Sequence, residues 1–192
     1  MAVKKVMKNK LAIFDLDGTL FDTRSVNFLA YQKALAEEGF ILGREFYESN
    51  CNGKYYKDYL PLLISNPTDE LMERIHCRKK ILYKSFLSYA IVNTHLFCLI
   101  ELMRDTYHIS LVTTASKKNT MDILEYHQKT SLFELILSQE DVTSVKPNPE
   151  GFLKAMRYFD ITPEHTLIFE DSPSGIAAAK SSGASILVSI DN

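Results

Sequence analysis

The chain carries no large excess of either charge, no apolar run long enough to cross a bilayer, and only three cysteines. Each shortage excludes something. A formal net charge of -2 provides neither a basic field for nucleic acid nor an acidic tail. No stretch approaches the twenty or so apolar residues of a membrane span. Cys51, Cys77 and Cys98 are odd in number and lack C-x-x-C spacing, as expected of reduced, mostly buried thiols in a cytosolic protein. Met1 to Lys10 is basic, but only Leu11–Phe14 is apolar before the first carboxylate. That is too short for the core of a secretory leader, so the expected location is cytoplasmic. The histidines (His76, His95, His108, His127, His165) are scattered without ligand spacing and receive no catalytic role. There is no internal repeat and no low-complexity segment. What remains is 192 residues, 46% hydrophobic and 24% charged, the balance of one globular domain with room for a modest insertion.

Five short apolar runs read as strands: Leu11–Phe14, Ile109–Thr113, Leu135–Leu137, Thr166–Phe169 and Ile186–Ile190. They are densely apolar rather than alternating, which suits a parallel sheet covered on both faces. Helical stretches lie between them. Lys117–Lys129 follows the second strand, Asn148 caps a helix with Pro149 first, and Ser172 caps one with Pro173 first that stops at Gly183. This alternation predicts βαβ units and an α/β core. Between the first two strands lie nearly a hundred residues, far more than one crossover helix requires. The interval has its own helical pattern. Thr23–Glu38 ends at Gly39, and Thr68 caps a helix with a stripe of Leu71, Ile75, Leu82 and Phe86. Thr94–Asp105 then returns the chain to the sheet. The expected organisation is a core of residues 1–23 and 90–192 with a helical insertion at 24–89.

Four signals with chemistry follow in order. Asp15 and Asp17 leave the C-terminal end of the first strand and enter a turn at Gly18, where ligands of open α/β sheets gather. Two charges there call for a hard, oxygen-ligating ion such as Mg²⁺. One carboxylate can attack phosphorus and form an aspartyl-phosphate, while the other protonates the leaving oxygen and later deprotonates water. Next, Leu111–Ser116 ends a strand in hydroxyls ahead of a helix. Thr114, with the N–H of Ala115, is a candidate phosphate contact, and Thr113 competes because one residue of register decides which faces the site. Third, Lys146 sits in a segment stiffened by Pro147 and Pro149, a fixed cation suited to a site crowded with acids. Last, Leu167–Phe169 delivers Glu170 and Asp171 at another strand end, Asp171 as a direct metal ligand and Glu170 directly or through water. Four acids beside a phosphate need both Mg²⁺ and Lys146 to offset them.

These motifs resemble the haloacid dehalogenase-like hydrolase superfamily. Asp15-Leu-Asp-Gly-Thr-Leu is similar to its first motif, Thr114 to the second, Lys146 to the third and Glu170-Asp171 to the fourth. The resemblance covers the core, from Lys10 to Asp22 and from Thr94 onward. It implies a Rossmann-like core, Mg²⁺ dependence and Asp15 as nucleophile and metal ligand. Asp17 would be the acid/base and give its backbone carbonyl to the metal. Residues 24–89 would form the family's small helical cap, which helps to choose the substrate. The dehalogenase and phosphonatase branches lack the acid that stands here at position 17, so the expected substrate is a small soluble phosphate monoester, such as a sugar phosphate. A mutase of the β-phosphoglucomutase kind shares all four motifs but usually carries a histidine where this chain has Asn27. A catalytically silent binding protein of the same fold is the remaining alternative, and it would have no use for such charge clustering. Within the insertion, Cys51–Tyr59 is the candidate specificity loop. Lys54 of this loop, and Arg24 and Asn27 earlier in the insertion, are the candidate substrate contacts, and Gly53 would allow close approach. Packing of Tyr55, Tyr56 and Tyr59, with the lysines in water, is the competing reading.

Overall fold

A computed structural model describes residues 8–52 and 54–188. Gly53, and the last two residues of the expected strand at 186–190, lie outside the described residues. From the N-terminus run β1 (Lys10–Phe14), β2 (Phe21–Asp22), α1 (Arg24–Glu37), α2 (Arg44–Asn50), α3 (Tyr56–Tyr59) and α4 (Asp69–Leu82). Then come β3 (Ile91–Val92), α5 (Thr94–Met103), β4 (Tyr107–Val112), α6 (Lys117–Tyr126), β5 (Leu135–Leu137) and α7 (Glu150–Phe159). The chain closes with β6 (Thr166–Glu170), α8 (Pro173–Ser182) and β7 (Ser185–Val188). It divides into two compact units, Met1–Asp22 with Val92–Asn192, and Thr23–Ile91. Among the described residues no helix is long and apolar enough to cross a membrane.

The first unit is built on a parallel five-stranded sheet in the order β5-β4-β1-β6-β7. From the central β1 the chain fills one side with β4 and β5, then crosses to the other with β6 and β7. The reversal leaves a crevice beyond the carboxyl ends of β1, β4 and β6, the place where such sheets bind ligands. Register makes those ends level: Phe14 pairs with Leu111 on one side and with Phe169 on the other. Burial explains why β1 reads as a solid apolar run. Leu11, Ala12, Ile13 and Phe14 are all 0% exposed, covered on both faces as a central parallel strand must be. Phe14 and Phe169 stack at 4.3 Å and 8° directly before the acids. Leu11, Ile13, Val112, Phe152, Ile168 and Ala178 form the core on which α7 and α8 pack, each larger side chain contributing roughly 1.5–3 kcal/mol on burial.

Local capping chemistry sets several helix ends. Ser172 accepts from Gly175 N and Pro173 opens α8, which ends at Gly183 in the left-handed conformation. Asn148 does not cap α7. Pro149 occupies the cap position, and Asn148 Oδ1 accepts from Glu150 N at 3.0 Å as an Asx turn one step earlier.

The second unit packs around Tyr31, Leu35, Leu42, Tyr47, Leu60 and Ile75. Thr68 caps α4 by accepting from Leu71 N at 3.2 Å. Of the expected stripe, Ile75 is fully buried and Leu71 and Leu82 are half-buried against this core, while Met72 and Lys79 complete the buried face of α4. The helix stops at Leu82, and the tighter turns of 83–89 change the repeat from 3.6 to 3 residues. Tyr83 and Leu87 are buried there, and Phe86 is half-buried. Lys79 enters this core by laying its stem along it, with its ammonium 5.2 Å from the ring centroids of both Tyr31 and Tyr83.

His76 lies in the same core. Its ring stacks on Tyr56 at 4.0 Å and 8°, and its Nδ1 is 2.7 Å from the Tyr31 hydroxyl. Burial, helped by the charges of Lys80 and Lys79, pushes its pKa down from 6.5 to about 4. The unfolded chain therefore takes up this proton first. The contribution of neutral His76 is intact above pH 6.5, is lost as pH falls from 6.5 towards 4, and levels off below. The melting temperature of His76→Gln should accordingly vary less than wild type across that window, and parallel curves for the two proteins would contradict the assignment.

Candidate active site

Three stretches of chain meet at the crevice. β1 ends in Asp15, whose N–H donates to Phe169 O at 3.0 Å, tying the first acid to the strand that carries the last two. The chain then turns tightly: Gly18, at φ +88°, donates to Phe21 O at 2.8 Å, and Leu20 and Phe21 both donate back to Leu16 O. A side chain at position 18 would place its Cβ 2.1 Å from Asp171 Oδ2, so glycine is required there twice over, for conformation and for space. Thr19 Oγ1 donates to Asp171 Oδ1 at 2.8 Å. Asn93, at the cap of α5, holds the turn from behind through Thr19 O and Leu20 O.

β6 ends in Glu170, which is fully buried. Its Oε2 accepts from the N–H groups of Asp171 and Ser172 and from Ser172 Oγ, each at 3.0 Å, and its Oε1 accepts from Lys146 at 2.6 Å. Gly175 makes room for it, since a Cβ there would lie 1.8 Å from Glu170 Oε1. Lys146 Nζ also donates to Asp15 Oδ1 at 2.5 Å and to Val112 O at 2.9 Å. The three donor protons of the ammonium thus have three acceptors, on three strand ends. Lys146 exposes 6% of its side chain, Asp15 9% and Glu170 none.

A charge excess follows. The carboxylate oxygens of Asp15, Glu170 and Asp171 come within 4.8 Å of one another, with Asp17 close enough for its charge to act on Asp15. Burial raises the Asp15 carboxyl well above its usual range; Lys146 opposes this, and Glu170 and Asp17 reinforce it. Burial works against the Lys146 charge, but Asp15 and Glu170 outweigh it and hold the ammonium above its ordinary value. One lysine cannot offset this many acids. An all-oxygen donor set with surplus negative charge fits a hard divalent cation.

The other expected site residues fall into two groups. Val112, Thr113, Thr114, Val145 and Lys146 line one recess of the first unit. Thr114 is exposed there, whereas Thr113 is buried and its Oγ1 accepts the Ala115 N–H at 3.0 Å. That N–H therefore already has a partner within its own loop. Arg24, Asn27 and Lys54 belong to the second unit. Arg24 is exposed at the start of α1, Asn27 Nδ2 donates to Thr23 Oγ1 at 3.1 Å, and Lys54 is exposed, reaching Ser49 O at 3.5 Å. Tyr56 and Tyr59 of the expected specificity loop are buried in that unit's core, so packing accounts for both. Thr19, Asn93 and the Val112 carbonyl escaped the sequence reading, which took Ser172 as a helix cap and not as a donor to Glu170. Only Thr19 had a visible sign, a hydroxyl next to the turn glycine.

Comparison with known proteins identifies the family. The chain belongs to the haloacid dehalogenase-like hydrolase family, whose model matches residues 12–188. It is 27% identical over 177 residues to a phosphorylated carbohydrates phosphatase of Thermotoga maritima, covering 89% of this chain and 80% of that one. It is 25% identical over 178 residues to the validoxylamine A 7'-phosphate phosphatase of Streptomyces hygroscopicus subsp. limoneus, covering 91% and 82%. The crystal structure of CbbY from Rhodobacter sphaeroides in complex with phosphate shares the fold, with a TM-score of 0.81 at 24% identity over 97% of this chain and 88% of that one.

Proposed function

We propose that the chain is an Mg²⁺-dependent phosphatase that hydrolyses a small soluble phosphate monoester, a sugar phosphate being the leading class. The observation that carries this reading is the contact of Lys146 with both Asp15 and Glu170 at 2.5 and 2.6 Å, beside Asp171. Such a cluster of buried charge is costly unless it is used. The names of the two phosphatase relatives point the same way.

When bound, Mg²⁺ would neutralise the acids and polarise the phosphoryl oxygens; Asp15 and Asp171 would hold it, with the Asp17 carbonyl and Glu170 completing the set. An Asp15 oxygen attacks phosphorus, and the ester oxygen leaves with the proton of Asp17. Asp17 then takes a proton from water, whose oxygen attacks the aspartyl-phosphate and releases inorganic phosphate and the Asp15 carboxylate. Lys146 stays against Asp15 and offsets charge on the transferred group. The hydroxyl of Thr113 or Thr114 holds a phosphate oxygen, and Ala115 N–H joins it by leaving or sharing Thr113 Oγ1. Residues 24–89 act as the cap that selects the ester, with Arg24, Asn27 and Lys54 as contacts. Asn27 carries no titratable proton, which favours hydrolysis over the mutase.

Phosphate release from a panel of sugar and other small phosphate esters, with Mg²⁺ and with chelator, tests this. Turnover should require the metal. Conversion of one sugar phosphate isomer into another without free phosphate would establish the mutase, and inertness across the panel the silent binding protein.

A further inference from the structure

Lys146 is carried by a segment that is itself held. Residues 142–149 have no helix or strand of their own apart from tight turns, so the backbone there needs other partners. Glu150, the first residue of α7, supplies them. Its Oε1 accepts from Thr143 N at 2.9 Å and its Oε2 from Ser144 N at 2.8 Å. One helical turn on, Lys154 Nζ reaches Glu150 Oε1 at 2.8 Å and also donates to Asp141 O at 2.8 Å.

Asp141 ends the turn Gln139–Asp141, and that turn grips the hydroxyl loop on the other side of the recess. Gln139 N donates to Ala115 O at 3.0 Å, and Glu140 Oε2 accepts from Lys117 N at 2.8 Å. An unbroken set of contacts therefore runs from the backbone beside Lys146, through Glu150 and Lys154, to the backbone of residues 115–117. Neither Glu150 nor Lys154 contacts Asp15, Glu170 or Asp171 by any of these bonds.

We infer that Glu150 and Lys154 form a brace that fixes the Lys146 segment at a set distance from the hydroxyl loop, and that both are positioning residues for the phosphoryl site. The inference rests on the proposed function for its effect on rate, but not for its effect on Lys146. A carboxylate is needed at position 150 because two N–H donors converge on it. Glutamine has the same shape but turns an amide NH₂ towards one of them. Charge-assisted bonds of this kind are the stronger ones, so their loss frees the segment more than loss of a neutral bond would.

The test uses the full chain, without metal or substrate, and a small amine-acylating ester as probe, with labelling located by mass spectrometry. Lys33, exposed on α1 and outside these contacts, is the internal standard. In wild type Lys146 should be strongly protected. In Glu150→Gln its labelling relative to Lys33 should rise about tenfold, the scale of one lost charged hydrogen bond. Phosphatase kcat should fall by about tenfold or more, because small misplacements of a positioned group carry rate penalties of that order. Lys154→Met, at a partly exposed position, should move both readouts in the same direction and covers the case in which the Glu150 variant fails to fold.

Labelling of Lys146 that stays at the wild-type ratio in both variants overturns the brace, including the case where melting temperature falls and Glu150 merely caps α7. If wild type releases no phosphate while labelling still rises, the brace stands and the phosphatase reading falls. If wild type turns over and neither labelling nor kcat changes, the brace alone falls.

Discussion

Phosphate release should drop at least ~10⁴-fold in Asp15→Asn, the scale on which removal of a covalent nucleophile acts, with folding nearly untouched. The two halves of this expectation have separate causes. An amide oxygen cannot form the aspartyl-phosphate, so the two-step route is closed. Stability survives because Lys146 keeps two of its three acceptors, Glu170 at 2.6 Å and Val112 O at 2.9 Å. Asp15 is also an acid that its surroundings disfavour as a charge, through burial first and through Glu170 and Asp17 after it. A neutral side chain of the same shape relieves that. A change in melting temperature of no more than about 4 °C, equivalent to roughly 1 kcal/mol in a chain of this size, is expected. Rapid acid quenching should trap a phosphoryl group on the wild type and none on the variant. Retained turnover in Asp15→Asn would remove Asp15 as nucleophile.

Lys146→Met should do the opposite to stability. It leaves Asp15 and Glu170, at 9% and 0% side-chain exposure, without their shared cation. Breaking a buried ion pair from one side costs about 3–5 kcal/mol, so the melting temperature should fall by roughly 10 °C. Methionine is chosen because it fills a similar space without charge, which separates the electrostatic loss from a cavity. Activity should fall by about 10³-fold, since the charge that offsets the transferred group goes as well. Lys146→Arg restores the charge but brings a planar fork to a place where three acceptors sit on three different strand ends. It should recover more of the melting temperature than of the rate. A Lys146→Met protein as stable as wild type would mean that the acids are satisfied without this lysine.

The contrast between these two variants reflects how the site is assembled. Asp15 is one acid among several around a cation; Lys146 is the cation on which they converge. Thr19 on Asp171, Ser172 on Glu170 and Glu150 behind Lys146 then fix each side chain from a different element.

Central elements were the most legible in the sequence. β1 and β6 are buried on both faces, so their apolar runs could not be confused with amphipathic helices. Acids placed at their ends then stood out against that background. Proline and glycine marked α8 for the same reason, since each acts through its own backbone. What depended on long-range packing was less visible. The stripe on α4 found Ile75 but not Lys79, whose charge hides a stem that lies along the core. Asn148 resembles a helix cap by composition, yet the chain uses it one residue early, in a turn. Thr113 and Thr114 are neighbours, and the sequence does not show that the first is buried against its own loop and the second exposed. Glu150 gave no signal beyond an acid in a first helical turn, a placement the helix dipole alone would explain.

Crystals grown with magnesium offer the most direct measurement. The account predicts an ion bonded to carboxylate oxygens of Asp15 and Asp171, with Lys146 still in contact with Asp15. Asp15 and Asp171 turned apart, with no ion between them at saturating magnesium, would contradict it.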